Sequence, residues 1–127
     1  MNAKKLKKSF GYALRGIRLV FHSEQNFRMQ LMCGVVAISL GLLFRISGTR
    51  FLFLASVIIL VLILECINTA IEHIADIVKP RLSDQVSMIK DIMAGAVLLA
   101  SLLSIIIGIC IFWPYLRNLQ VENFLFF

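Results

Sequence analysis

The run Leu64-Glu65-Cys66-Ile67-Asn68-Thr69-Ala70-Ile71-Glu72-His73-Ile74-Ala75-Asp76 follows a charge-free stretch from Phe51 to Leu64. A helix that crosses the hydrocarbon core needs about 20 apolar residues, with a range of about 17–25. The charge-free stretch alone is too short. A span here requires the helix to continue through Glu65, Asn68 and Glu72, and the sequence is read as doing so. On that helix Glu65, Asn68, Thr69, Glu72 and Asp76 follow the spacing i, i+3, i+4, i+7, i+11 and occupy one arc about 100° wide. Ile67, Ala70, Ile71 and Ile74 fill the rest of the circumference.

The surroundings agree with a membrane setting. The chain has 127 residues, 60% of them hydrophobic and 16% charged, and a soluble domain of that size cannot hide so much apolar surface from water. Two further stretches carry no charge, Met29 to Phe44 and Ile92 to Leu116. The first becomes long enough when Arg28 and Arg45 snorkel at its ends. Spans are therefore expected at about residues 28–47, 51–78 and 90–115 within one domain, residues 1–127. No apolar segment follows Lys8 before Arg15 and Arg18, so the amino-terminal part is expected to belong to the mature protein.

Residues 4–21 have a different pattern. At about 100° per residue Leu6, Phe10, Ala13, Ile17, Val20 and Phe21 share one face, with Lys4, Lys8, Arg15 and Arg18 opposite. Such a helix lies in the membrane interface, although packing on a partner protein is the alternative. The fold class expected is an all-α membrane protein, an amphipathic surface helix followed by three transmembrane helices. Polar connections are expected at His22 to Asn26, at Ser47-Gly48-Thr49-Arg50 and from Arg81 to Ser87. Pro80 should stop the second span, Ser83 or Ser87 should cap the third, and Trp113-Pro114-Tyr115 should end it.

Basic residues set the orientation. Lys4, Lys5, Lys7, Lys8, Arg15, Arg18 and Arg28 precede the first span, and Lys79, Arg81 and Lys90 lie between the second and third. Only Arg45 and Arg50 occupy the first loop, so the amino terminus and second loop are expected to be cytoplasmic. The net charge of +6 then points to anionic lipid heads rather than nucleic acid. Cys33, Cys66 and Cys110 fall in the spans without metal-ligand spacing and are read as packing.

An ionisable group inside the bilayer costs at least a few kcal/mol, so the acidic stripe needs partners or a purpose. Glu65 and Glu72 stand about 10 Å apart along the helix axis, too far to share a proton. Glu72 and Asp76 lie nearer water, and hard oxygen donors without a His or Cys set suit Mg²⁺ bound together with phosphates. Glu65, deeper and flanked by Leu64 and Ile67, sits in a desolvated setting suited to a general base near neutral pH. Glu24 and Asn26 before the first span and Lys90-Asp91 before the third fall at the same boundary, where they can join an acidic pocket with a lysine for phosphate. Polar glue between helices is the plainer reading for Asn68 and Thr69, and an interfacial role for His73. No GxxxxGK[ST] loop, GxGxxG or kinase catalytic-loop pattern occurs.

The stretch Glu65 to Glu72 with Asp76 resembles the signature of the bacterial diacylglycerol kinase and undecaprenol kinase family. The resemblance covers nearly the whole chain: Gly11-Tyr12 and Gly16, Glu24-Gln25-Asn26-Phe27-Arg28, and Lys90-Asp91 with Ala94-Gly95-Ala96. It implies a homotrimer in the bacterial inner membrane, with active sites composed from neighbouring subunits. The activity implied is transfer of the γ-phosphoryl group of MgATP to the primary hydroxyl of a membrane lipid. By position, Glu65 would be the general base and Asn68 would orient the site; Glu24 and Glu72 would hold Mg²⁺. Lys90 would contact phosphate, while Tyr12, Asp76 and Asp91 would shape the nucleotide site. Gln30 departs from the acidic or histidine residue often found at its position, and Lys5 and Lys8 are both basic candidates on the surface helix. The Glu24-to-Phe27 form, Thr69 and Trp113-Pro114 look more like the undecaprenol kinase branch than the diacylglycerol branch. A proton-coupled transporter would use Glu65 but leave Glu72, Asp76 and Lys90-Asp91 without work, and an accessory subunit would need no acidic pocket.

Overall fold

The computed structural model describes residues 3–78 and 83–125. They form four helices: α1 (Ala3–Ser23), α2 (Gln25–Leu43), α3 (Gly48–Val78) and α4 (Ser83–Leu125). Three of them contain segments long and apolar enough to cross a membrane, Gln25–Leu43, Gly48–Ile77 and Asp84–Arg117. The architecture is the expected all-α one, a first helix followed by three spans. Pro80 and the rest of residues 79–82 lie outside the described residues.

In α1 only Val20 is buried, and Leu6, Phe10, Leu14 and Ile17 stay exposed. Most of its apolar stripe is left uncovered by the other helices, as suits a helix lying in an interface. The junction to α2 is shorter than the polar segment expected at 22–26. Only Glu24 leaves helical geometry, at φ −104° and ψ 117°. Arg28 makes so tight a corner stable: its Nη1 donates to the carbonyls of Phe21, at 2.9 Å, and His22, at 3.1 Å. Both carbonyls belong to the last turn of α1, where no intrahelical donor is left for them.

Helix α2 ends at Leu43, earlier than the expected 47, and α3 begins at Gly48 rather than 51. The turn is therefore residues 44–47 and not Ser47 to Arg50. Arg45 adopts the left-handed conformation, φ 49°, and donates its backbone N–H to Leu42 O at 3.1 Å. Ile46 N–H reaches back to Gly41 O at 3.1 Å. These two bonds form a Schellman stop with arginine where glycine is usual. Ile46 folds over Gly41, whose missing Cβ would lie 3.1 Å from Ile46 Cδ1. Ile46, Leu54 and Ile111 form the buried cluster at this end, with Phe44, Phe51, Phe112 and Tyr115 around it.

Helix α4 starts at Ser83, so the expected loop to Ser87 is shorter and Ser87 is not a cap. It also continues through Pro114 instead of ending near Tyr115. Transmembrane helices tolerate proline when neighbours hold the backbone in place. Here the ring of Tyr115 stacks on Phe44, centroids 5.8 Å apart. Arg50 Nη1 donates to Tyr115 Oη at 3.2 Å.

Helix α3 is central, packing on both α2 and α4. It lies close against α2 at Gly34, where an added Cβ would meet Ile58 Cγ2 at 2.7 Å. Small residues permit such crossings in membranes. Ile58 is β-branched and cannot swing that methyl away freely. We predict that Gly34→Ala destabilises the protein by about 1–3 kcal/mol, read as a lowered unfolding midpoint in detergent micelles. Adding Ile58→Ala to the same chain should recover part of the loss; an unchanged midpoint for Gly34→Ala alone would contradict the crossing.

Candidate active site

Among the described residues, Glu65 and Thr69 are the polar side chains that are buried, each 3% exposed. Both sit on α3 one turn apart, inside the span. Thr69 Oγ1 donates to the Glu65 carbonyl at 2.9 Å, so the threonine satisfies itself on its own helix. The Glu65 carboxylate is bound from outside α3: Gln30 Nε2 on α2 donates to Glu65 Oε2 at 3.4 Å. One turn on, Asn68 Nδ2 donates to Glu72 Oε1 at 3.0 Å. Further along, Lys90 Nζ on α4 meets Asp76 Oδ1 at 3.2 Å. The three carboxylates of the stripe thus take three donors from three helices.

Burial falls in the same direction. Glu65 is buried, Glu72 half-buried and Asp76 exposed. Glu24, half-buried at the α1–α2 corner, acts on Glu65 electrostatically, and so does Glu72. The two amides that serve the carboxylates turn their oxygens inward: Gln30 Oε1 and Asn68 Oδ1 are buried without a hydrogen-bond partner. Buried acceptors of that kind call for an explanation, often an absent water or ion.

The geometry brings some expected residues together and leaves others apart. Asn68 and Glu72 meet directly, as do Asp76 and Lys90. Tyr12 stays exposed on α1, its ring 5.8 Å from Lys8 Nζ and 4.6 Å from the Arg15 guanidinium carbon. Asp91 is exposed on α4. Among the described residues no hydrogen bond or ion pair links Tyr12 or Asp91 to the stripe. Sequence reasoning missed the part played by Gln30, although a glutamine within an otherwise apolar span signals a polar partner across the helix pair.

No cluster of three His, Cys, Asp or Glu side chains poised for a metal occurs among the described residues. Mg²⁺ bound with phosphates needs only one or two protein carboxylates, its other positions being water and substrate oxygen. Glu24 and Glu72, with the orphaned Asn68 oxygen, are donors of the right hard character. On the other flank of α3 an open apolar groove of about 870 Å³ runs between α1, α2 and α3. Ile17, Phe21, Phe27, Ile63 and Ile67 line it, and Arg18 and His22 supply its polar groups.

The chain thus gathers a buried carboxylate, two wetter carboxylates and a lysine along one helix long and apolar enough to cross a membrane. The family model for prokaryotic diacylglycerol kinase matches residues 11–112, and the chain belongs to that family of membrane lipid kinases. It is 37% identical over 120 residues to a diacylglycerol kinase of Synechocystis, covering 94% of this chain and 69% of that one. It is 34% identical over 109 residues to the undecaprenol kinase of Bacillus subtilis, covering 86% of this chain and 89% of that one. With the diacylglycerol kinase of Escherichia coli it shares 26% identity over 108 residues, 85% of this chain and 88% of the relative. The transporter and accessory-subunit alternatives find no support in these matches.

The Asp76–Lys90 pair is open to solvent, with side-chain exposures of 61% and 33%. Pairs of this kind contribute about 0–1 kcal/mol. Asp76→Asn should accordingly leave the unfolding midpoint nearly unchanged; a large drop in micelles would mean that the pair holds α3 to α4 rather than serving a ligand.

Proposed function

We propose that the protein transfers the γ-phosphoryl group of ATP to the hydroxyl of a membrane lipid, with Glu65 as general base. The observation that carries the reading is a carboxylate 3% exposed inside a membrane-spanning helix. Phosphoryl transfer is mostly positioning and charge neutralisation, so a small site without a nucleotide-binding fold can perform it. Glu65 takes the proton of the lipid hydroxyl as its oxygen bonds to the γ-phosphorus, and ADP departs with the bridging oxygen. Asn68 orients the neighbouring carboxylate Glu72. Glu24 and Glu72 would hold Mg²⁺, which when bound supplies neutralisation of phosphate charge. Lys90 contacts phosphate by exchanging its exposed Asp76 partner for it, and Asp76, Asp91 and Tyr12 contribute to the nucleotide site.

The groove beside Cys66 and Ile67 offers an apolar bed for a lipid chain whose head lies at the interface. Undecaprenol is the acceptor we favour, on the Glu24-to-Phe27 form, Thr69 and Trp113-Pro114, and a relative bearing that name shares 34% identity. Diacylglycerol is the second reading, favoured by the relative of that name at 37% identity. The distribution of basic residues supports a multi-pass protein of the bacterial inner membrane with amino terminus and site facing the cytoplasm. A homotrimer with shared sites would bring Tyr12 and Asp91, which among the described residues make no hydrogen bond or ion pair with the stripe, to a neighbour's site. The exposed α4 face of Leu98, Leu102, Ile105 and Ile109 also suits a neighbour.

The test is MgATP-dependent phosphorylation of undecaprenol and dioleoylglycerol side by side in mixed micelles. Undecaprenol should turn over faster; a preference for dioleoylglycerol would reverse the acceptor assignment, and no transfer to either would end the reading. Glu65→Gln should lower turnover by about 10²–10⁴-fold while MgATP still binds, and retained turnover would remove the general base. Glu72→Gln should raise the Mg²⁺ concentration needed for half-maximal rate, and an unchanged Mg²⁺ dependence would remove the ligand role.

A further inference from the structure

We propose that Gln30 is a positioning residue for the reaction: its amide N–H fixes the Glu65 carboxylate so that one oxygen stays free for the acceptor hydroxyl. The inference rests on the general-base role proposed for Glu65. An ionised carboxylate only accepts hydrogen bonds, so a facing amide must present its nitrogen. That is the arrangement found, Gln30 Nε2 to Glu65 Oε2 at 3.4 Å. Oε2 is thereby engaged and Oε1 is left open. At 3.4 Å the bond is long, and hydrogen bonds in sites without substrate are often long.

Three features separate positioning from simple packing. First, Gln30 and Glu65 are 35 residues apart and on different helices, so the bond ties the orientation of the base to the α2–α3 crossing. Gly34 lies one turn beyond Gln30 on α2 and packs closely on α3, with Ile58 Cγ2 2.7 Å from the position of an added Cβ. The support for Gln30 is therefore rigid. Second, the amide keeps its own oxygen buried and unpartnered. An apolar side chain would fill the same space without leaving an acceptor unsatisfied, so packing alone does not account for a glutamine here. Third, the amide carries no charge. It orients Glu65 without the neutralisation that lysine or arginine would impose on a base.

The test compares Gln30→Met, Gln30→His and Glu65→Gln in the full-length protein in mixed micelles with MgATP. Methionine fills the space and removes the donor, and should lower kcat by on the order of 10-fold to 100-fold, the scale of a misplaced reacting group. KM for MgATP and for lipid should stay near the parent values, because nothing that binds either has been removed. Histidine can set its Nε2–H near the position of the lost amide nitrogen, and should restore most of kcat. A methionine variant with parental kcat would overturn the inference. So would a loss spread equally over kcat and both KM values that histidine does not repair. Should the methionine variant fail to fold, Gln30→Asn takes its place: the amide is kept one methylene short, and kcat should fall while the unfolding midpoint holds. If Glu65→Gln itself retains turnover, the general-base reading fails and this inference with it. If Glu65→Gln is inactive while Gln30→Met turns over normally, only the role of Gln30 falls.

Discussion

Everything in this structure is arranged around one difficult demand, keeping a carboxylate buried inside a membrane-spanning helix. Glu65 is 3% exposed. A charge at that depth is costly unless it is bonded, and an unbonded one would protonate or draw the helix out of the apolar layer. The chain meets the demand with a neutral donor from α2, the Gln30 amide. A hydrophobic residue at this position would serve stability better. The carboxylate is intelligible through the general-base chemistry proposed for it.

That demand sets the packing. For Gln30 to reach Glu65, α2 and α3 must approach closely, and Gly34 against Ile58 supplies the approach. At the opposite end of the helix pair the Schellman stop at Arg45 turns the chain in four residues. The cluster of Ile46, Leu54 and Ile111 then seals the turn against α4. Pro114 can remain within α4 because Tyr115 is held there by Phe44 and Arg50. The apolar anchoring thus lies at one end of α3 and the polar stripe at the other.

Much of this was legible in the sequence, and for identifiable reasons. Charge placement marks the spans, and helical periodicity alone puts Glu65, Asn68, Glu72 and Asp76 on one arc. The ends of the helices were less legible. Arg45 occupies a conformation usually reserved for glycine, so its stop leaves no trace in composition, and Pro114 signals an ending that tertiary contacts override. The corner at Glu24 is hidden similarly, because its stabilising donor, Arg28, belongs to the next helix. Gln30 was overlooked because pairing across helices depends on rotation about two axes, which periodicity within either helix does not report. Tyr12 and Asp91 are named by resemblance rather than by contacts, and within one chain neither bonds to the stripe.

The stripe is best understood as a gradient. From Glu65 through Glu72 to Asp76 the side chains pass from buried to half-buried to exposed, while their partners change from an amide on α2, to an amide on α3, to a lysine on α4. Each donor suits its depth. Neutral amides serve where desolvating a second charge would cost most, and the charged partner appears only where water screens the pair. The same gradient sorts the two reactants of a membrane phosphotransfer. In the proposed reaction a lipid hydroxyl would arrive from the apolar side at the driest carboxylate, and a highly charged nucleotide would approach from water at the wettest groups. Proton acceptance and phosphate handling need different dielectric surroundings, and a single helix leaving the membrane provides both within three turns.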